Sequence, residues 1–151
     1  MSENVILPSE HVWRYFELHA QQRMTVFNFY IAITGLLAAG IGFTLQQGGR
    51  FALFTTLMGV FVTFISFIFW KLDQRVSMLI KNAERALQDI EGQFDSASMK
   101  IITGDSEGNG LNKGVFSTWT YGKCFRLSFF IVGVAGLMLA IAPFLMKSPG
   151  V

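Results

Sequence analysis

The sequence predicts an all-α integral membrane protein with three transmembrane helices, an N-terminal amphipathic helix and a cytoplasmic extension of the second span. Three observations carry that prediction. First, 52% of the 151 residues are hydrophobic and only 15% are charged, against roughly 25% charged in an ordinary soluble domain. Second, the apolar excess is gathered into runs. No charge falls between Arg23 and Arg50, and "FALFTTLMGVFVTFISFIFW" (51–70) and "LSFFIVGVAGLMLAIAPFLM" (127–146) are uncharged throughout. A helix rising about 1.5 Å per residue crosses a hydrocarbon core about 30 Å thick in about 20 residues, so each run is long enough to span. Third, Lys and Arg are divided unequally. Arg14, Arg23, Lys71, Arg75, Lys81, Arg85, Lys100, Lys113, Lys123 and Arg126 fall on one side of the spans, and only Arg50 and Lys147 on the other. The positive-inside rule then puts the N-terminus and the long middle segment in the cytoplasm and the C-terminus outside. The acidic residues all lie on the cytoplasmic side too, so the net charge of +2 is weak ground for nucleic-acid binding.

Residues 1–24 are expected to form a cytoplasmic amphipathic helix. Ser9 after Pro8 is a candidate N-cap, and Glu10 stands four residues before Arg14, a pairing that supports a helix. Trp13, Tyr15 and Phe16 are residue types that settle at a membrane interface. Glu3, Glu10 and Glu17 argue against a cleaved signal peptide. His11 and His19 share a face but stand two turns apart, about 12 Å, too far for one metal ion. Cys124 is the single cysteine, which excludes an internal disulfide.

Residues 25–71 read as a transmembrane hairpin, with spans near 25–46 and 51–71 joined by "QQGGR" (46–50), whose glycine pair is a turn signal. Residues 72–124 read as a cytoplasmic helix followed by a Gly-rich loop. Trp70 anchors at the interface, Lys71 and Arg75 stop transfer, and the helix is expected to continue to about residue 94, because no Gly or Pro lies between Gly59 and Gly92. Within it, Val76, Ile80, Ala83, Leu87, Ile90 and Phe94 make a short heptad seam. That seam either packs on the chain's own N-terminal helix or pairs subunits. A short hairpin of "KIIT" (100–103) and "GVFSTWTY" (114–121) is expected in the loop. Residues 125–147 supply the third transmembrane helix.

No catalytic constellation emerges: there is no Ser–His–Asp set, no HExxH and no pair of carboxylates within a span. "DSEGNG" (105–110) starts like a calcium loop, but the position that needs a bidentate Glu is Phe116. "GLNKG" lacks the spacing of a phosphate-binding loop. The expectation is a protein that is not an enzyme and carries no cofactor. "KGVFSTWTYGKCFR" (113–126) is more informative, because Lys113, Lys123 and Arg126 bracket Trp119 and Tyr121, the mixture that stacks bases and neutralises phosphates. With Lys71 and Arg75 at the cytoplasmic mouth, these residues are candidates for binding a nucleotide or a single-stranded oligonucleotide. An interfacial anchor accounts for the same residues.

The spans carry small and polar residues on helical stripes. Asn28, Ala32, Gly35, Ala39, Gly42 and Gln46 line one face of the first, Thr56, Gly59, Thr63 and Ser66 one face of the second, and Gly133, Gly136 and Ala140 one face of the third. Small residues let helices pack closely in lipid, and uncharged polar ones suit a wetted pore. Asn28, Gly35, Gly42, Thr56, Thr63 and Ser66 are therefore the candidate pore-lining residues. Three helices enclose no channel by themselves, so a pore requires a homo-oligomer.

"WRYFELHAQQRMTVFNFYI" entering a Gly/Ala-rich span, a tight hairpin, and "FIFWKLDQRVSMLIKNAERALQDIE" leaving the membrane resemble the small transmembrane effectors of bacterial anti-phage systems over residues 12–94. These include SLATT-type two-span effectors and effectors paired with nucleotidyltransferases, and the layout is most similar to the channel effector of the Hailong type. The third span is additional to the two-span pattern. The resemblance implies an oligomeric inner-membrane effector, gated by a deoxyoligonucleotide or related ligand, with a companion nucleotidyltransferase or sensor. The rival expectation is a non-conducting scaffold in the bilayer that binds a cytoplasmic partner through the helix at 72–94.

Overall fold

The fold comes from a computed structural model, in which residues 3–93, 100–104 and 119–145 are described. Three long helices dominate it: α1 (Glu3–Gln46), α2 (Ala52–Glu91) and α3 (Tyr121–Leu145), with a 3-10 turn at Gly48–Phe51 joining the first two. There is no strand among the described residues. The segments Ser9–Gln46, Ala52–Glu91 and Tyr121–Leu145 are each long and apolar enough to cross a membrane. The physical reason is the solvent: hydrocarbon offers no partner to backbone N–H and C=O groups, and a helix satisfies them within itself. The protein is an all-α membrane protein.

Three local expectations change. The helix starts at Glu3 rather than after a cap at Ser9. The short helix expected over residues 1–24 and the first span are one element, since no Gly or Pro interrupts the chain between Pro8 and Gly35. "KIIT" is not a strand. Residues 101–104 form a helical turn, closed by the Gly104 N–H donating to the Lys100 carbonyl at 3.1 Å. The other strand expected there, and the "DSEGNG" turn, fall largely or wholly outside the described residues. α2 runs without a break through Trp70–Lys71 and stops at Glu91, where Gly92 follows and its N–H bonds the Gln88 carbonyl at 2.9 Å. Phe94, the end of the expected seam, lies outside the described residues.

The chain divides into two compact units, Thr25–Asp73 with Tyr121–Val151 and Met1–Met24 with Gln74–Thr120. In the first, Tyr30, Phe125 and Phe129 form a buried cluster, with Phe27, Ile65, Phe69 and Val132 packed on it. Phe27 stacks on Phe125 with centroids 4.0 Å apart, and Tyr30 meets Phe129 edge-on at 4.7 Å. Such geometries add to simple burial. In the second unit, Ile80, Ala83 and Leu87 are buried. Val76 and Ile90 of the same seam are half-buried.

The closest approach in the membrane unit is between α2 and α3. A Cβ added at Gly59 would lie 2.7 Å from the Ala140 nitrogen and the Gly136 oxygen, and one added at Gly136 would lie 2.9 Å from the Gly59 oxygen. Gly35 and Gly42 on α1 have nothing within 4 Å of the corresponding point. Gly59→Ala is therefore expected to destabilise the detergent-solubilised protein by about 1–3 kcal/mol through overpacking against backbone. Gly35→Ala should leave the monomer's melting temperature unchanged or raise it. Equal melting temperatures for the two variants would contradict the crossing.

Candidate functional site

The close crossing sets up a ladder of contacts along α2 and α3. Thr56 donates to the Ala140 carbonyl at 3.0 Å. The Thr63 hydroxyl lies 3.1 Å from both the Gly59 and Gly133 carbonyls. Ser66 Cβ is 3.3 Å from where a side chain at Gly133 would start. A hydroxyl reaches a carbonyl on the facing helix only where the backbones are this near, which is why the small residues of α3 stand opposite these positions. On its α1 side, α2 shares a buried hydrogen bond between Ser66 Oγ and the Tyr30 hydroxyl at 2.9 Å. Nearer the hairpin, the Thr55 hydroxyl donates to Thr44 Oγ1, also at 2.9 Å, and Thr44 to the Ile41 carbonyl.

The six candidate pore residues divide accordingly. Thr56, Thr63 and Ser66 turn inward and are hydrogen-bonded within the bundle. Asn28 and Gly35 are exposed and Gly42 is half-buried. With exposed Ala32, Ala39 and Gln46, they lie on the side of α1 opposite its buried seam Tyr30–Thr34–Ile41–Thr44. α1 is thus a two-faced helix, and its exposed side carries both these small and polar residues and large apolar ones, Phe29, Leu36 and Phe43 among them.

The last rung of the ladder is ionic. Arg126 Nε stands 3.4 Å from Asp73 Oδ2, with the Asp73 side chain 3% exposed and the Arg126 side chain 46%. Of the other candidate ligand residues, Lys123 is exposed one turn before Arg126, and Tyr121 is exposed at the start of α3. Lys71 Nζ sits over the Trp70 and Phe67 rings at 5.5 and 5.8 Å, on the outward side of α2. Arg75 and Trp119 are exposed, and Lys113 lies outside the described residues. Lys71 and Arg75 thus share the outer side of α2, whereas Arg126 faces its inner side.

Sequence reasoning passed over Glu91. Its buried carboxylate accepts hydrogen bonds from the N–H groups of Ile102 and Thr103 at 3.0 and 2.9 Å and from the Thr103 hydroxyl at 2.9 Å. This clasp stabilises the turn at 101–104 and explains why "KIIT" is helical: the anion satisfies donors that a strand would have directed elsewhere. The only signal in the sequence is an acid at the end of an apolar seam. Burial raises the Glu91 pKa, but the backbone and hydroxyl donors lower it more, and the net direction is down from the ordinary 4.5.

No family model and no solved structure matches this chain. A protein of Escherichia coli named CD-NTase-associated protein 19 is 72% identical to it over 147 residues, which are 97% of each chain.

Because the folded pKa of Glu91 is lowered, the clasp contributes its full stability above the ordinary carboxylate pKa and loses it as pH falls below that range. Amide resonances of Ile102 and Thr103 are expected to titrate together with a midpoint under 4.5, and Glu91→Gln should abolish that titration. A midpoint above 4.5 would reverse the sign.

Proposed function

This chain belongs to the family of CD-NTase-associated protein 19, and from that membership we propose that it is the membrane effector of a nucleotidyltransferase-linked anti-phage defence system. Its action would be to form a homo-oligomeric, ligand-gated pore in the bacterial inner membrane, with the N-terminus cytoplasmic and the C-terminus outside. The observation that carries the reading is the join of two facts: three helices long and apolar enough to cross a membrane, and 72% identity over nearly the whole chain to a protein named for its association with a CD-NTase.

Conductance is supported by how the polar groups of the spans are distributed. The α2–α3 interface is too close for water, since backbone atoms meet there. A conducting path therefore runs between subunits. The outer face of α1, with Asn28, Gly35 and Gly42, supplies small and uncharged polar residues for that assembly. The ligand, a nucleotide or short oligonucleotide made by the companion enzyme, would be met by the aromatic and cationic side chains at the start of α3, Tyr121, Lys123 and Arg126. The unbroken α2 carries the consequence to the bundle. The rival reading is a non-conducting scaffold that binds a cytoplasmic partner through the helix at 72–94.

Coexpression with a companion nucleotidyltransferase is expected to depolarise cells, read with a potential-sensitive dye, and a catalytically dead enzyme is not. Inserted, oligomeric protein that leaves the potential intact beside the active enzyme would refute the effector reading. Lys71→Gly with Leu72→Gly, which breaks α2 at the membrane boundary, should keep insertion and reduce the enzyme-dependent depolarisation at least ten-fold. An unchanged response would exclude transmission through α2.

A further inference from the structure

We infer that two copies of this chain pair through the outer side of α1, the Phe29–Leu36–Phe43 ridge of each seated in the small-residue groove of the other. The inference rests on the oligomeric effector reading above and names the surface by which that assembly begins.

At about 3.6 residues per turn, Asn28, Ala32, Gly35, Ala39 and Gly42 fall on one stripe of α1, and Phe29, Leu36 and Phe43 on the next stripe round the helix. Both lie away from the buried seam Tyr30–Thr34–Ile41–Thr44. The ridge stands clear of the bundle, with Leu36 77% exposed. The groove beside it is open. Among the described residues, no neighbouring atom comes within 4 Å of where side chains at Gly35 and Gly42 would start.

A ridge beside a groove is complementary to a copy of itself. Copies inserted with the same topology are related by an axis along the membrane normal, and two-fold pairing is isologous. A two-fold axis passing beside Ala32 and Ala39 sets the ridge of each helix opposite the groove of the other, so both contacts form at once. Helices pack ridge into groove in general, and in lipid small residues are what let a facing helix come near. The chain already uses that device within itself at Gly59 and Gly136.

Acyl chains are the competing occupant, and two observations favour a second copy. The exposed sides of α2 and α3 carry large apolar residues such as Leu57, Phe64, Ile131 and Met138, whereas α1 sets its ridge against a groove. Leu18 stands about five turns before Leu36 on the same unbroken helix, and it is 62% exposed. It precedes Arg23, where the charge-free run ends, so the ridge line continues to where water, not lipid, surrounds it.

The test uses full-length protein carrying Cys124→Ser, which removes the single native thiol. In that background Ala32→Cys and Ala39→Cys, beside the axis, are oxidised in membranes and compared with Leu57→Cys on α2 and Met138→Cys on α3. The α1 variants should give at least ten-fold more disulfide-linked dimer. Gly35→Leu fills the groove without meeting the chain's own helices. It should lower the mass of the detergent-solubilised assembly at least two-fold, read by light scattering, with no fall in melting temperature. Leu36→Ala, which trims the ridge, should lower that mass too and serves where a cysteine variant inserts poorly. Equal dimer at all four cysteine positions, or an assembly that keeps its mass in both Gly35→Leu and Leu36→Ala, would overturn the α1 pairing. That failure leaves the effector reading standing, because depolarisation beside the active enzyme does not depend on which face pairs.

Discussion

Everything else in the membrane unit depends on the backbone contact between α2 and α3 at Gly59 and Gly136. In water, burial of apolar side chains would bring helices together regardless of how closely their backbones met. In lipid the surroundings are as apolar as the side chains, and association rests on van der Waals fit and on hydrogen bonds between helices. Two glycines remove the side chains that would hold the helices apart. The short hydroxyls of Thr56 and Thr63 then reach carbonyls across the interface. Either feature without the other would fail: distant backbones would strand the hydroxyls, and aliphatic residues at 56 and 63 would leave only dispersion.

This use of the polar residues bears directly on function. Hydroxyls satisfied inside a closed bundle are structural in the monomer, and they meet water only if the bundle loosens. The outer face of α1 is different, because Gly35 and Gly42 have no neighbour within 4 Å. One seam of α1, Tyr30–Thr34–Ile41–Thr44, is directed to its own bundle, and a second with smaller residues is directed away. Any contact with a second copy through small residues is thus open to α1, while the small residues of α2 and α3 are used up within the bundle.

The charged residues near the membrane boundary have divided roles. Lys71 lies over aromatic rings on the outer side of α2, a geometry in which a long cationic side chain covers apolar surface and keeps its head in the polar zone. Two residues on, Asp73 turns inward and meets Arg126. Farther along the same helix, Glu91 turns inward again and captures the returning chain at Ile102 and Thr103. α2 therefore carries an acid at two points of its buried side. One binds the helix that follows, and the other the segment that leads to it.

By itself the sequence determined the all-α membrane class, the three runs long and apolar enough to cross a bilayer, and the continuity of α2 past Trp70. These follow from local quantities: charge-free length against bilayer thickness, absence of Gly and Pro, and a fixed rotation per residue. It did not decide which stripe faces which neighbour. The stripes of α1 and α2 are alike in spacing and in their mixture of small and polar residues, yet one packs against α3 and the other is left outside. Nor did it pair Asp73 with Arg126, or Glu91 with Thr103, because a carboxylate has no preference among cations and donors until the chain's return path brings one within reach. Helical rotation is a property of the backbone, whereas partnership is a property of how several helices share limited space. Only the tertiary structure holds the second.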